Sequence, residues 1–392
     1  MYRDHTVGVV VPAYNEEGLV GQVIETMPEF VDRVYVVDDR STDDTWTEIK
    51  RHSDSLPERR RTDGGATDTR DSSDAPNTTS DPVADGGSTA TVPPETEEMS
   101  DGTGQATLET PPQRTDATHS GDVHDHDQDD GTIVIPIRHA SNRGVGGAIK
   151  TGYEHALDDG MDVTAVMAGD AQMDPNQLDR LLDPVVDGTA AYAKGNRLAG
   201  RDDSASMSRW RLFGNLTLTF LTKVASGYWE MMDPQNGYTA ISKEALEAVD
   251  LQGLYDEYGF ANDLLVELNT AGFLVADVSM PAVYGDEQSH IEYRTFVPRL
   301  SKLLFTGFLR RLGRRYVVRE FHPLVLLYGL GVAGWLLTSV GVAWAAAARG
   351  RAETRVGWAG ATVLYAFLGT MCLVFAMTLD HEENADTVVT VR

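Results

Sequence analysis

Val9-Val10-Val11-Pro12-Ala13-Tyr14-Asn15-Glu16-Glu17, answered by Val34-Tyr35-Val36-Val37-Asp38-Asp39-Arg40-Ser41-Thr42-Asp43, decides the fold class. Each stretch is a short β-branched run that stops abruptly at polar and turn-forming residues. Strands buried on both faces of a parallel sheet read this way, and their carboxyl ends deliver ligand-binding loops. Between them, Glu17 to Phe30 carries Leu19, Val20, Val23, Ile24 and Met27, a spacing that predicts a helix over one face of the sheet. The chain therefore opens with a βαβ unit. No glycine-rich dinucleotide or phosphate-loop fingerprint follows the first strand.

VVPAYNEE followed by VVDDRSTDDT resembles the nucleotide-binding half of inverting glycosyltransferases of the GT-A fold, and above all the polyprenyl-phosphate sugar synthases of the dolichyl-phosphate mannose and glucose type. The resemblance implies an α/β, Rossmann-like domain with a mostly parallel sheet, a nucleotide-diphosphate sugar as donor, a polyprenyl (dolichyl) phosphate as acceptor, and a divalent cation, Mg2+ or Mn2+. Under it, Pro12, Tyr14 and Glu16 line the nucleotide pocket. Asp38 and Asp39 suit the nucleoside, because base and ribose present N–H and hydroxyl donors to an acceptor carboxylate. Asp43 is expected to cap the next helix.

Further motifs follow in order. His139 to Tyr153 (HASNRGVGGAIKTGY) is a glycine cluster leading into a helical pattern, which lets backbone amides and a helix N-terminus approach an anion. The family's N-x-G-x-G-x-A segment flanks the nucleotide sugar there, and Arg143 and Lys150 would add positive charge. Val163 to Pro175 is a buried strand ending at a carboxylate, the arrangement a hard cation needs when it shares a diphosphate. The family's D-x-D-x-Q reads Ala168-Gly169-Asp170-Ala171-Gln172 here, so the first acid is missing while Asp170 and Gln172 stay in register as metal or diphosphate contacts. Asp174-Pro175 reads as a helix start, with Asp174 at the cap.

The middle of the chain matches the acceptor half. Arg197, at the end of Lys194-Gly195-Asn196, and Arg209 and Arg211 further on are candidates for the acceptor phosphate, since a dianion suits bidentate guanidinium donors. Asp233-Pro234-Gln235-Asn236-Gly237-Tyr238 resembles a segment that borders the donor sugar, with Gln235 as contact. Asp263, in Gly259-Phe260-Ala261-Asn262-Asp263, stands where relatives carry an acid before a helix. A phosphate oxygen is already ionised at neutral pH, so this candidate catalytic residue is expected to position rather than deprotonate. Met280 to Ser289 resembles the strand and loop near the acceptor.

Composition bounds the reading. A formal charge of −27 excludes a nucleic-acid binder, which needs a basic face. Only six lysines occur, and an acidic, lysine-poor chain fits a high-salt cytoplasm of the haloarchaeal kind, where self-repulsion is screened. The lone cysteine, Cys372, rules out a disulfide framework. Residues 53–131 hold 19 acidic and 5 basic residues and no aromatic, so the segment is expected to be a disordered insertion, and its His124-Asp125-His126-Asp127 a solvated run rather than a metal site.

Two uncharged stretches, Pro323 to Ala348 and Val356 to Leu379, exceed the roughly 20 residues that cross a bilayer and predict a transmembrane hairpin. Ahead of it, Phe296 to Arg319 interleaves apolar residues with Arg299, Lys302, Arg310, Arg311, Arg314, Arg315 and Arg319, a pattern that predicts an amphipathic helix facing anionic headgroups on the cytoplasmic side. The expected organisation is thus 1–52 with 132–295 as the GT-A domain, 53–131 as insertion, 296–321 as juxtamembrane segment, 322–380 as two membrane helices and 381–392 as a cytoplasmic tail. The expected activity is inverting transfer of a hexose to polyprenyl phosphate at the membrane. The alternatives are extension of a lipid-linked saccharide or polysaccharide, although the Q-x-x-R-W element of processive polymerases is absent, and a non-catalytic membrane adaptor, for which Ala168 is the best support.

Overall fold

The β-branched runs become the centre of a mixed sheet. In chain order the elements are β1 (Val7–Ala13), α1 (Val20–Glu25), β2 (Arg33–Asp38), α2 (Thr45–Arg59), β3 (Ile133–Arg138), α3 (Val145–Asp158), β4 (Val163–Val166), α4 (Leu178–Val186), β5 (Tyr192–Asn196), α5 (Arg209–Ser226), β6 (Thr239–Ser242), α6 (Lys243–Ala248), α7 (Phe260–Ala271) and β7 (Val275–Ser279). They are followed by α8 (Tyr293–Gly313), a π-helical turn at Arg314–Arg319, α9 (Leu324–Ala347), α10 (Ala352–Glu383) and β8 (Val388–Val391). This computed structural model describes residues 1–59, 132–197, 209–281, 293–319, 321–347 and 352–392. The insertion from residue 60 onward, with its histidines, lies outside the described residues, as do 282–292.

The strand order is β3-β2-β1-β4-β6-β5-β7-β8. All neighbours are parallel except β6, which runs antiparallel between β4 and β5. Alternation along β1 explains the two layers: Val7, Val9 and Val11 pack with Val20 and Val23 of α1, Ile49 of α2 and Leu178, Leu181 and Leu182 of α4, while Val10 faces Ala148 and Tyr153 of α3 and Leu264 and Leu268 of α7. Each such side chain removed from water contributes about 1.5–3 kcal/mol, so the apolar pattern fixes which face each helix covers.

Three expectations change. The first helix is six residues long, not the whole of Glu17 to Phe30, because Gly18, with φ +82°, and the turn around it precede the helix while Pro28 follows it. Helix α2 runs on to Arg59, so the start of the supposed insertion is helical. The segment 381–392 is not a free tail: β8 pairs in parallel with β7, Val275 opposite Val388, as the sheet's edge strand.

The basic segment also docks differently from the expected headgroup-facing helix. Arg310 pairs with Asp263 and Glu267, and Arg314 with Glu267, so arginines four apart on α8 and the turn after it meet acids four apart on α7. Arg315 and Arg319 donate to the carbonyls of Asn269 and Thr270 at 2.9 and 2.8 Å, at the C-terminal end of α7, where cations are favoured. Arg311 is fully buried. Its guanidinium makes bidentate bonds of 2.9 and 2.7 Å to Asp380 of α10, and its remaining donors reach the carbonyls of Ala225 and Val224. Burial works against that charge, but the Asp380 carboxylate keeps Arg311 above its ordinary value. Helices α9 and α10 approach closely where Gly334 meets Gly369; a Cβ on Gly334 would stand 2.7 Å from the Gly369 Cα. Their outward residues, including Leu336, Val340, Val363 and Phe367, are apolar and exposed.

Candidate active site

The carboxyl ends of β1, β2, β4 and β5 gather most of the expected residues, and the backbone is strained there. Asn15 after β1, Arg40 after β2, Ala171 after β4 and Asp233 before β6 all have positive φ, from 46 to 67°, an unfavourable state for residues with a side chain. The β1 and β2 loops are stitched together: Ser41 Oγ accepts from Asn15 N at 3.0 Å and Asn15 Oδ1 from Thr42 N at 2.8 Å. Asp43 accepts from Thr45 N and its hydroxyl at the start of α2, the expected capping role.

Asp170 sits one turn beyond β4. Gly169 N donates to Pro12 O at 3.1 Å, which brings the Asp170 turn against the end of β1, beside exposed Tyr14. Asp170 Oδ1 accepts from Gln172 N at 3.1 Å. Burial pushes the carboxyl above the usual carboxylate range, opposed by the Gln172 amide and by the charge of Arg197. Asp174 caps the 3-10 turn Pro175–Gln177 by accepting from Asn176 N at 3.0 Å, as the sequence implied.

Arg197 grips Asp233: Nε donates to Oδ2 at 2.9 Å and Nη2 to Oδ1 at 3.3 Å, with 42% of the arginine side chain exposed. Beneath them lies a charge that sequence reading assigned no role, Lys194, fully buried on β5. It donates to the carbonyls of Gly195, Met232 and Asp233 and lies 3.7 Å from Asp277 on β7. Asp277 in turn accepts from Asn196 at 2.7 Å. Burial pushes Lys194 down and Asp277 up, each charge resisting the shift of the other. Lys194 thus fixes the strained Asp233 turn; a lysine inside an otherwise apolar strand was the available signal.

On the other side, Asp38 is fully buried, accepts from Ser41 N and faces Arg138 at 2.9 Å. Asp39 does not present free oxygens to a nucleoside: Oδ1 accepts from His139 Nδ1 at 2.7 Å and Arg143 N at 2.8 Å, and Oδ2 from Gly144 N at 2.8 Å. It anchors the glycine segment. The glycines there are closed by protein: a Cβ on Gly144 would stand 2.6 Å from Asp256 O, and one on Gly146 2.5 Å from Tyr255 O. Lys150 is likewise internal, donating to Leu254 O at 2.8 Å and pairing with Asp256. The expected cationic contact from Lys150 is therefore corrected to a strut, because burial and two acceptors hold its ammonium. Arg143 remains exposed.

Asp263 is also withdrawn, at 3% exposure, accepting from Tyr255 N at 3.0 Å and bonded to Arg310. Its neighbour Asn262 accepts from Gln235 at 3.3 Å, a bond that ties Gln235 to α7. Glu16 is half-buried, and its amide donates to Thr45. Arg209 and Arg211 lie in the first turn of α5, and their side chains fall outside the described residues. Among the described residues no group of three or more His, Cys, Asp or Glu is placed to enclose a metal.

The site thus comprises a carboxylate beyond the end of a central strand, the Arg197–Asp233 ion pair and a nucleotide-type βαβ half. Residues 8–63 and 116–250 match the family described as glycosyl transferase family 2. The chain carries a family 2 glycosyltransferase domain. Its α/β fold is the GT-A-like one. A UDP-N-acetylglucosamine–dolichyl-phosphate N-acetylglucosaminyltransferase of Methanococcus voltae is 29% identical over 151 residues, which is 38% of this chain and 60% of that protein. An undecaprenyl-phosphate mannosyltransferase of Micrococcus luteus is 26% identical over 175 residues, 42% of this chain and 67% of that protein. The matched part thus spans 60 to 67% of these two relatives' length. Glucosyl-3-phosphoglycerate synthase of Mycobacterium tuberculosis aligns in structure with TM-score 0.44 at 16% identity, covering 79% of this chain and 81% of that one.

Proposed function

We propose that this family 2 domain moves one hexose from a nucleotide-diphosphate sugar, UDP-glucose or GDP-mannose, to a polyprenyl or dolichyl phosphate with inversion. The product would feed protein N-glycosylation or surface glycan assembly. The observation that carries the reading is the placement of Asp170, just beyond the central strand β4 and held against the end of β1 by the bond from Gly169 N to Pro12 O. The relatives named for transfer to dolichyl and undecaprenyl phosphate support the acceptor class.

The donor set fits a divalent cation. Mg2+ bound with a diphosphate needs only one or two carboxylates, the rest of its shell being phosphate and water, and a carboxylate raised by burial is one that a cation would stabilise as an anion. Asp170, with Gln172 beside it, would hold Mg2+ or Mn2+. When bound, the ion neutralises charge building on the departing diphosphate.

The chain's own residues do the positioning. Pro12, Tyr14 and Glu16 border the nucleotide, Gln235 the sugar, and Arg143 the diphosphate, while the fully buried Asp38 is corrected from a nucleotide contact to a support of the loop after β2 through Ser41 N. Arg197, with Arg209 and Arg211, orients the acceptor phosphate, whose ionised oxygen attacks the anomeric carbon without surrendering a proton. Asp263, capped by Arg310, serves as a positioning residue and not as a base. The apolar hairpin would cross the membrane, and because α8 enters it and β8 leaves it from the same α/β domain, that domain lies on one face, here taken as the cytoplasmic one.

The test is transfer by the full chain in nanodiscs from a panel of UDP- and GDP-sugars to polyprenyl phosphate. A hexosyl phospholipid from one donor is the expected product. Absence of transfer from every donor, with the protein folded, contradicts the proposal.

A further inference from the structure

The two halves of the site are joined by the first turn of α7, and that turn is held by the helix that leads to the membrane. Asn262 holds Gln235 of the Asp233–Tyr238 loop. Its neighbour Asp263 holds Tyr255 N. The Leu254–Asp256 stretch is in turn fastened to the glycine segment, through Lys150 on Leu254 O and Asp256 and through Gly147 N on Asp256 O at 3.0 Å. The glycine segment hangs from Asp39 by the amides of Arg143 and Gly144. What holds Asp263 in place is Arg310 of α8, whose Nε also lies 2.8 Å from Glu267. The chain of contacts Asp39, glycine segment, Leu254–Asp256, Asp263, Arg310 is therefore continuous from the second strand to the helix that precedes the hairpin.

We infer that Arg310 is a positioning residue for the donor site: by fixing Asp263 it sets the Leu254–Asp256 stretch, and through it the glycine segment that would border the nucleotide sugar. The glycines demand this. Asp256 O and Tyr255 O stand 2.6 and 2.5 Å from where a Cβ on Gly144 and on Gly146 would be, so the segment packs backbone on backbone against Tyr255 and Asp256 and a shift of that stretch is passed to it. Loss of Arg310 leaves Asp263 as a buried carboxylate with one partner fewer, which favours rearrangement of the Tyr255 contact. Helix α8 thereby couples the lie of the hairpin to donor binding, without touching the donor.

The inference rests on the proposed function for its kinetic arm alone. Full-length wild type, Arg310→Ala, Arg310→Lys and, as a distant charge-loss control, Arg3→Ala are compared in nanodiscs for donor KM, acceptor KM and kcat, for calorimetric binding of UDP and GDP with Mg2+, and for amide exchange at 143–147 and 254–257. Arg310→Ala is expected to raise donor KM about tenfold, a 1.4 kcal/mol effect, with kcat and acceptor KM within about twofold. Exchange should rise in both segments, Arg310→Lys should be intermediate, and Arg3→Ala should match wild type. A change confined to acceptor KM or kcat, or unchanged exchange at 143–147, overturns the inference. If Arg310→Ala does not fold, Arg310→Lys decides by the same two readouts. If wild type binds neither nucleotide, the proposed function fails, and exchange at 143–147 still decides the coupling.

Discussion

Asp170 combines two properties that pull apart. It is half-buried with a carboxyl raised above its ordinary value by desolvation, so ionising it opposes folding of the ligand-free protein. The folded state then holds its proton more tightly than the unfolded one. Its contribution is therefore absent below the ordinary carboxylate pKa, and stability falls as pH rises from there through the raised folded value. Asp170→Asn, neutral at every pH, should raise the Tm of the unliganded protein at pH 7 and flatten its dependence on pH in that window, while transfer drops about 10²–10³-fold through loss of charge at the leaving group. Thermal denaturation across pH 4–7 alongside initial rates checks both; a lowered Tm with full activity would contradict the assignment. At this scale the sequence was only partly legible. Asp170 and Asp174 announce themselves by following a strand and preceding a proline, whereas Asp39, Lys150 and Asp263 are charged residues in family motifs whose partners, Gly144, Leu254 and Arg310, are 105, 104 and 47 residues away.

Among the elements, the glycine segment between β3 and α3 is the instructive case. A glycine cluster before a helix reads as an anion cradle, and the same residues are equally required where one stretch of backbone packs on another. Here the packing is on Tyr255 and Asp256. Gly146→Ala would bring a Cβ into a carbonyl and should destabilise by about 1–3 kcal/mol, in the range of an overpacked core site, with donor binding weakened and acceptor KM spared. Urea denaturation and donor KM together measure this, and an alanine that changes neither would show the carbonyl is free to move. Strands were the most legible elements, because valine-rich runs ending in Asp or Asn leave few other readings. The α8 pattern was misread for a physical reason: an arginine stripe spaced by four is the same whether its partners are headgroups or the Asp263 and Glu267 carboxylates of a neighbouring helix.

Over the whole molecule, the hairpin is built into the α/β domain rather than tethered to it. Arg311 and Asp380 are both fully buried, joined by Tyr316 and Asn384, and Asn384 also receives a bond from Asn269 of α7. Past that cluster the chain returns as β8 on the sheet edge. Truncation after Arg319 therefore removes the counter-charge of Arg311 and an edge strand together, and should yield an unstable domain. Orphaning one partner of a buried pair costs about 3–5 kcal/mol, whereas an apolar replacement of both is far milder. Arg311→Met and Asp380→Leu should each lower stability by that amount, and the double variant by clearly less than their sum, in chemical denaturation of the full chain in detergent. A truncated domain that stays folded would show that the cluster is dispensable. Hydropathy revealed the two long helices and nothing of this join, because β8 is four residues of ordinary valine-threonine sequence outside any motif.

The central claim is that the acceptor's own phosphate is the nucleophile, with no protein base to create one. The most direct measurement is initial sugar transfer by the wild-type chain to polyprenyl phosphate and to the matching polyprenol, in the same nanodiscs with the same donor. The account predicts transfer to the phosphate alone, with the alcohol silent because Asp263 is buried and held by Arg310. Transfer to polyprenol at a comparable rate would contradict it.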